Sequence, residues 1–400
     1  MVTRDTDVES AGDSLKGRHV VLGVTGGIAA VETVKLAREL RRYGTELTVI
    51  MTASAQRIIT PLAVRWASQA EVITEWDGDL SALNQADAVL VAPATRDIIA
   101  SHLHGLQHGP LMMALSVARS RQTPIMMVPS MHEDLASDPV TQELVDALRA
   151  QHVSVHWGPH EEGKRKTPSA SMIVAQLSNL INSSKPKRRQ VVITLGATQS
   201  AIDDIRNVQN TSSGRTGWQV ADHLYRHGHD VTCVQGVTSS PAPEWLPLCI
   251  KAPTPELMLA ECKALSNDGI DAWIHAAAVL DYVVETPAEG KLASQQGTLN
   301  LPLVESPKHI MELKEACSSA VRIGFKLESG IKQTDLIHRA VAQIQKAGMT
   351  AVIANRLEDL GVQGKNRGYL VDAHGAHFVL QTSRDLNDAV LTLVERGMEG

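Results

Sequence analysis

The sequence predicts an α/β protein made of two tandem, open, doubly wound parallel-sheet domains. Three observations carry this expectation. Short, wholly apolar runs alternate with longer stretches of helical periodicity, the pattern of a parallel sheet covered on both faces. One polar, basic, proline-containing stretch, Asn182–Gln190 (NSSKPKRRQ), interrupts the alternation. Beyond it the same alternation restarts, and 400 residues are ample chain for two cores.

The elements follow in order. Residues 1–17 are polar and lack the apolar stretch of a signal peptide, so a disordered tail is expected there. The run His19–Thr25 reads as a buried strand, and GGIAAVETVKLARELRRYG after it has helical spacing. Further strands are expected at Glu46–Met51, Ala88–Pro93 and Ile125–Pro129, with helices such as RDIIASHL and QELVDALRA between them. The first domain is placed at 18–183, a linker at 184–189 and the second domain at 190–400. In the second domain the strands are Gln190–Gly196, Val231–Gly236, Ala272–Val279, Arg322–Leu327 and Ala351–Asn355. Tyr369–Leu380 reads as a late hairpin turning at His374-Gly375.

Composition excludes several classes of function. Aromatic residues make up only 3% of the chain, too few for a platform that stacks single-stranded nucleic acid. A net charge of -6 argues against a nucleic-acid backbone as partner. No apolar run approaches bilayer-spanning length. A cytoplasmic protein acting on small molecules, without a membrane or nucleic-acid partner, is the expectation. Cys233, Cys249, Cys262 and Cys317 have no CxxC spacing, so neither a zinc site nor a disulfide framework is indicated; buried reduced thiols are expected.

Chemistry is expected where strands meet helices. Gly23, Gly26 and Gly27 lie where the first strand turns into the first helix, and such glycines let backbone N–H groups close around a phosphate. A tight turn needs glycine in any case. GVTGG is not the GxGxxG dinucleotide fingerprint, so a single phosphate such as that of FMN fits better than NAD. Thr52 and Ser54 would add hydroxyl donors or merely cap the next helix. In the second half, NTSSG (Asn210–Gly214) gathers Asn210, Ser212 and Ser213 at a helix start with Arg215 behind them, more polar groups than one cap requires. Asp281 follows the strand WIHAAAV at the end where open sheets bind ligands. Lys291 stands a little beyond, where position alone marks only a solvated charge.

These segments resemble a known family. VLGVTGGIAA, MTASA, ADAVLVAPAT and PSM in the first half, then ITLGAT, DDIRNVQNTSSGRTG, AAAVLDY, TLNLPLVESP, GFKLES and VIAN, follow the order of the bifunctional coenzyme A biosynthesis family CoaBC, also called Dfp, over nearly the full length. The resemblance implies a flavodoxin-like flavoprotein domain of the phosphopantothenoylcysteine decarboxylase kind. A Rossmann-like phosphopantothenate–cysteine ligase domain would follow it, in a homo-oligomer. It implies that the ligase takes 4'-phosphopantothenate, cysteine and CTP with Mg2+ or Mn2+, through an acyl-cytidylate. Asn210 matches the residue that handles this intermediate, and Lys291 the first lysine of the family's KxKK motif, which continues here as Leu292-Ala293-Ser294. Gly196, Ser212, Ser213, Gly214, Asp281, Phe325 and Lys346 match CTP- or substrate-binding positions; no metal ligand is assigned. The family's NPD reads Ser306-Pro307-Lys308, and Gln343 stands where a further lysine is expected.

On the flavin side, Gly26, Gly27, Thr52, Ala94, Thr95 and Met131 match FMN-binding positions, although phosphate-cradling glycines can outlast the cofactor. The family's catalytic His position reads Asp79, and the Asn of its PAMN motif reads His132. Its lid cysteine is missing, since the first cysteine of the chain is Cys233. A carboxylate cannot simply replace an imidazolium, because its charge is opposite. Three readings follow: a ligase whose decarboxylase half is impaired, a fully bifunctional enzyme with rewired residues, and a non-catalytic regulatory homologue. Retention of Asn210, Lys291 and Asp281 favours the first over the last.

Overall fold

The computed structural model describes residues 4–76, 85–186, 188–293 and 297–397. The chain divides into two compact units between Ser184 and Lys185.

In the first unit the principal strands are β1 (His19–Val24), β2 (Glu46–Met51), β3 (Glu71–Ile73), β4 (Ala88–Ala94), β5 (Ile125–Pro129) and β6 (Ser154–Val155). They pair in the order β3-β2-β1-β4-β5-β6, and every pair is parallel. The helices are α1 (Thr33–Arg42), α2 (Pro61–Ser68), α3 (Arg96–Leu103), α4 (Pro110–Arg121), α5 (Pro139–Ala150) and α6 (Ala170–Asn182). Alternate residues of β1 serve opposite faces: Val20, Leu22 and Val24 pack with Leu36, Leu40 and Leu177. Val21 packs instead with Ile99, Leu115 and Leu148. A strand whose two faces are both buried reads as one apolar run, which is why these strands were legible. Helix starts carry their own signals: Thr60, Thr95, Asp138 and Ser169 accept a backbone N–H as N-caps, and Pro61 and Pro139 open two of these helices.

The tail expected over residues 1–17 needs correcting for residues 4–17. Leu15 is fully buried in the first core. The Ser14 hydroxyl lies 3.1 Å from that of Ser178, and the Asn182 amide donates to Ser14 O at 2.8 Å. Arg41 donates to Thr6 O at 2.8 Å, Arg38 to Asp7 O at 3.0 Å and Leu15 N to Tyr43 O at 3.1 Å, so one buried leucine and a set of backbone bonds anchor a segment whose average composition is polar.

The second unit has β7 (Gln190–Leu195), β8 (Asp230–Gln235), β9 (Leu248–Lys251), β10 (Ala272–His275), β11 (Val321–Glu328), β12 (Ala351–Arg356), β13 (Gly368–Val371) and β14 (His377–Leu380). Their order is β9-β8-β7-β10-β11-β12-β13-β14; the first six are parallel, and β13 and β14 add the expected hairpin antiparallel at one edge. The helices are α7 (Arg215–Arg226), α8 (Pro255–Leu265), α9 (Gln333–Ala347) and α10 (Ser383–Arg396). β10 stops at His275 and not at Val279: Ala276 N bends back toward Ile274 O at 3.2 Å while also donating to Thr194 O at 2.9 Å, and beyond it the pairing with the neighbouring strand survives only as an isolated Ala197–Ala278 bridge. Among the described residues, no helix is long and apolar enough to cross a membrane.

Candidate functional site

Strand order in the second sheet reverses between β7 and β10, the crevice where open α/β sheets bind ligands at their carboxyl ends. Three glycines bring the chain close there. Gly196 has φ +79°, and a Cβ on it would lie 2.7 Å from Val237 O. Gly214, at φ +75°, precedes α7, and its Cβ would lie 2.6 Å from Thr238 Cγ2. A Cβ on Gly217 would meet that of Leu195 at 2.4 Å, so α7 lies directly on β7. The helix N-terminus is thus pinned at the switch point, with its partial positive charge and unpaired N–H groups.

Around it lies a cleft of about 550 Å3. Its walls are Thr211–Gly217, His275–Asp281, Pro307–Ile310 and Phe325–Leu327, with Gln343, Asn355 and Arg367. Arg215, Lys308, Lys326 and Arg367 line it, and Asp281 is the single carboxylate among the described lining residues. A cationic cleft in a chain of net charge -6 is a local feature and not a reflection of composition. Arg367 is held firmly: its Nη2 donates to Thr216 Oγ1 at 2.7 Å. With the Asn355 amide oriented to satisfy both neighbours, its oxygen accepts from Arg367 Nη1 at 2.8 Å and its nitrogen donates to Lys326 O at 3.1 Å. Burial lowers the Arg367 pKa, which disfavours the unpaired cation and raises the value of an anion beside it. Burial also drives His275, in the floor, down to about 3, with Arg322 and His309 adding to the effect, so it is neutral.

The structure brings many of the expected residues together. Ser212, Ser213, Gly214, Asp281 and Phe325 line the cleft, and Gly196 supports it from below through Ala278. Asn210 donates from its side-chain nitrogen to Ala278 O and Val279 O, at 3.2 and 3.0 Å, and so is fixed against the loop after β10. The two serine hydroxyls are partly committed, accepting from Gly214 N and Arg215 N, each at 3.3 Å. Lys291 is exposed on a neighbouring loop outside the lining; the backbone beside it is tethered where Leu292 N donates to Asp203 Oδ2 at 3.1 Å. Lys346 is exposed on the last turn of α9, which presents Gln343 to the cleft instead. Sequence reasoning missed Lys326, Arg367, His275 and His309. Lys326 carried a faint signal, lying inside the GFKLES motif. Arg367 carried none, being 151 residues from the Thr216 it bonds.

The equivalent edge of the first sheet is equipped differently. Thr25 Oγ1 donates to Pro93 O at 2.7 Å and accepts from Thr95 N at 3.2 Å. Thr52 Oγ1 and Thr95 Oγ1 cap Ala55 N and Ile98 N. Gly26 has a packing reason of its own, since a Cβ there would fall 2.4 Å from Ser54 Cβ. A Cβ on Gly27 would instead fill the space beside Pro93 and Ser130 O, at 3.5 and 3.8 Å. Ala94 is buried at the end of β4. Met131 and His132 pair with Arg165 and Lys164 of a small hairpin, Lys164–Arg165 with His160–Glu161. His132 is exposed, and its Nδ1 accepts from Asp134 N at 3.3 Å and lies 3.1 Å from Asp134 Oδ2. Asp79 lies outside the described residues. Among the described residues no group of three or more His, Cys, Asp or Glu is placed to hold a metal ion.

Comparison with known proteins finds a matching family for each unit. The family described as "Flavoprotein" matches residues 8–182, and the DNA/pantothenate metabolism flavoprotein C-terminal domain matches residues 187–396. The coenzyme A biosynthesis bifunctional protein CoaBC of Thermococcus kodakarensis is 36% identical over 355 residues, covering 87% of each chain. That of Methanocaldococcus jannaschii is 32% identical, over 86% of this chain and 84% of its own. Among solved structures, the DNA/pantothenate metabolism flavoprotein from Streptococcus pneumoniae aligns with a TM-score of 0.48 at 22% identity, over 52% of this chain and 99% of that one.

Proposed function

The chain belongs to the bifunctional coenzyme A biosynthesis family CoaBC, with its flavoprotein and ligase domains, and from that premise we propose that its second unit joins cysteine to 4'-phosphopantothenate at the expense of CTP. The observation that carries this is the cationic cleft at the switch point, built from Arg215, Lys308, Lys326 and Arg367 around the N-terminus of α7. In this reading the pantothenate carboxylate attacks the nucleotide α-phosphorus and pyrophosphate leaves. The amine of cysteine then attacks the acyl carbon of the resulting cytidylate and expels CMP. Both steps build up negative charge on oxygen, which fixed cations and N–H donors stabilise without reorganising. Asn210 holds the acyl-cytidylate against the Ala278–Val279 backbone, Phe325 and Asp281 take the nucleoside side, and Lys291 reaches the phosphates from its loop. A divalent ion would enter with the triphosphate, for Asp281 alone among the lining residues offers a carboxylate.

For the first unit, the space beside Gly27 fits a phosphate-bearing flavin, and Gly26, Gly27, Thr52, Ala94, Thr95 and Met131 would hold FMN. Bound there, it would supply thiol oxidation. The protein groups that would complete a decarboxylation are replaced. His132 is tied to Asp134, and the hairpin from His160 to Arg165 carries no cysteine. Decarboxylation is therefore impaired in this reading.

Purified protein given CTP, magnesium, phosphopantothenate and cysteine should release pyrophosphate; silence with every nucleoside triphosphate would overturn the ligase reading. Carbon dioxide evolution from phosphopantothenoylcysteine at a rate matching pyrophosphate release would establish full bifunctionality instead.

A further inference from the structure

The register of the second sheet places Cys233 of β8 directly opposite Cys249 of the edge strand β9. Paired residues of neighbouring strands project to the same face, with strands about 4.8 Å apart, inside the Cα separation of about 4.4–6.8 Å that a disulfide spans. Both side chains pack into one core cluster. Cys233 is buried and Cys249 only half-buried, so a reagent in solution reaches one thiol and not the other. The closeness of the two thiols draws Cys249 down to about 7 while raising Cys233, whose burial adds to the effect. An accessible thiolate backed by a buried thiol is the arrangement of an attacking and a resolving cysteine. Cys262 differs, since burial pushes it up to about 12.

We propose that Cys233 and Cys249 form a redox-active dithiol that exchanges with low-molecular-weight disulfides. The Cys249 thiolate attacks one sulfur of the external disulfide, forming a mixed disulfide and releasing one thiolate. Cys233 then gives up its proton and attacks the Cys249 sulfur, expelling the second thiol. Two protein thiols lose two electrons and two protons, and the external disulfide becomes two thiols. The bond would tie the sheet's edge to β8, whose continuation, Gly236–Thr238, packs on Gly196 and Gly214 below the cleft. The chemistry is independent of the ligase reading, because it is read from the thiols alone.

The full-length protein is equilibrated in cystine/cysteine mixtures, quenched by alkylation and mapped by mass spectrometry. The expected product is a Cys233–Cys249 linked peptide, with an intact mass lower by ~2 Da that excess cysteine restores. Cys262 and Cys317 should stay alkylatable throughout. Cys233→Ser should trap Cys249 as a stable adduct with one cysteine, and Cys249→Ser should leave Cys233 unmodified. Complete alkylation of both thiols of the wild-type protein at every cystine ratio would overturn the proposal, as would an adduct at Cys233 in Cys249→Ser.

Discussion

At the carboxyl edge of the first sheet, Thr25, Thr52 and Thr95 commit their hydroxyls to the protein's own backbone, whereas at the same edge of the second sheet Arg215, Lys308, Lys326 and Arg367 surround an open cleft. Both edges use glycine for close approach, and both place helix starts at a switch point. The difference lies in the charged side chains added to the frame. Hydroxyls engaged as caps hold a loop in shape and leave ligand binding to backbone N–H groups. Lys326 and Lys308 lie 3.1 and 4.0 Å from the carboxylates of Glu328 and Asp281, whereas Arg215 and Arg367 have no carboxylate within ion-pair distance among the described residues, and cations held so favour an anionic ligand. The frame alone therefore says little about chemistry, and the side chains that break its self-sufficiency say more.

Four measurements sharpen or break this contrast. The largest effect is expected from Asn210→Ala, which should slow pyrophosphate-coupled amide formation by about 10²–10³-fold and let the acyl-cytidylate accumulate in quenched reactions. Wild-type turnover in this variant would remove Asn210 from the site. Next, Arg367→Gln should raise the KM for nucleotide by roughly 10–100-fold, the loss of a charge-assisted contact, with a smaller change in kcat. Arg367→Lys should recover part of that affinity; equal loss in both variants, with a matching fall in melting temperature, would mean that Arg367 merely braces Thr216. Third, Gly214→Ala forces a side chain into a left-handed backbone and against Thr238, and should cost about 1–3 kcal/mol in urea unfolding of the second unit. Gly26→Ala, which meets Ser54 at ordinary φ, should weaken the first unit while pyrophosphate release stays intact.

The last effect concerns acid. His275 is held near 3 when folded against 6.5 ordinarily, so between these values the unfolded chain binds a proton that the folded protein refuses. Stability is whole above pH 6.5 and declines as pH falls toward 3, by up to ~1.4 kcal/mol per unit from this one residue. His275→Asn should flatten the dependence of the urea midpoint between pH 6.5 and 5. An unchanged slope would show that the imidazole meets solvent.

Much of the fold was legible in the sequence. Glu46–Met51 and Ile125–Pro129 form strands over the bounds expected, because a strand buried on both faces is a bare apolar run. Ala272–Val279 overran because its last residues are equally apolar, yet past His275 they keep only an isolated bridge, Ala278 to Ala197. Leu15 was invisible because one anchoring residue does not alter the average of a polar segment. At the site, local clusters such as Ser212–Gly214 were readable, since capping and anion binding leave contiguous signatures. Arg367 was not, because its bond to Thr216 spans 151 residues and leaves no local pattern, and Lys326 was marked only by its place in GFKLES. That Gln343 faces the cleft while Lys346 is exposed on the last turn of α9 reflects a helical phase that only the helix's own packing decides.

The clasp between Ser14 and Ser178 carries a consequence for the order of synthesis. These partners are 164 residues apart, and the Asn182 bond to Ser14 spans 168. The start of the chain can dock early on α1, where Arg41 donates to Thr6 O at 2.8 Å and Leu15 N to Tyr43 O at 3.1 Å, but the bonds to Ser178 and Asn182 form only once α6 has been made. This long-range closure makes slow folding the expectation.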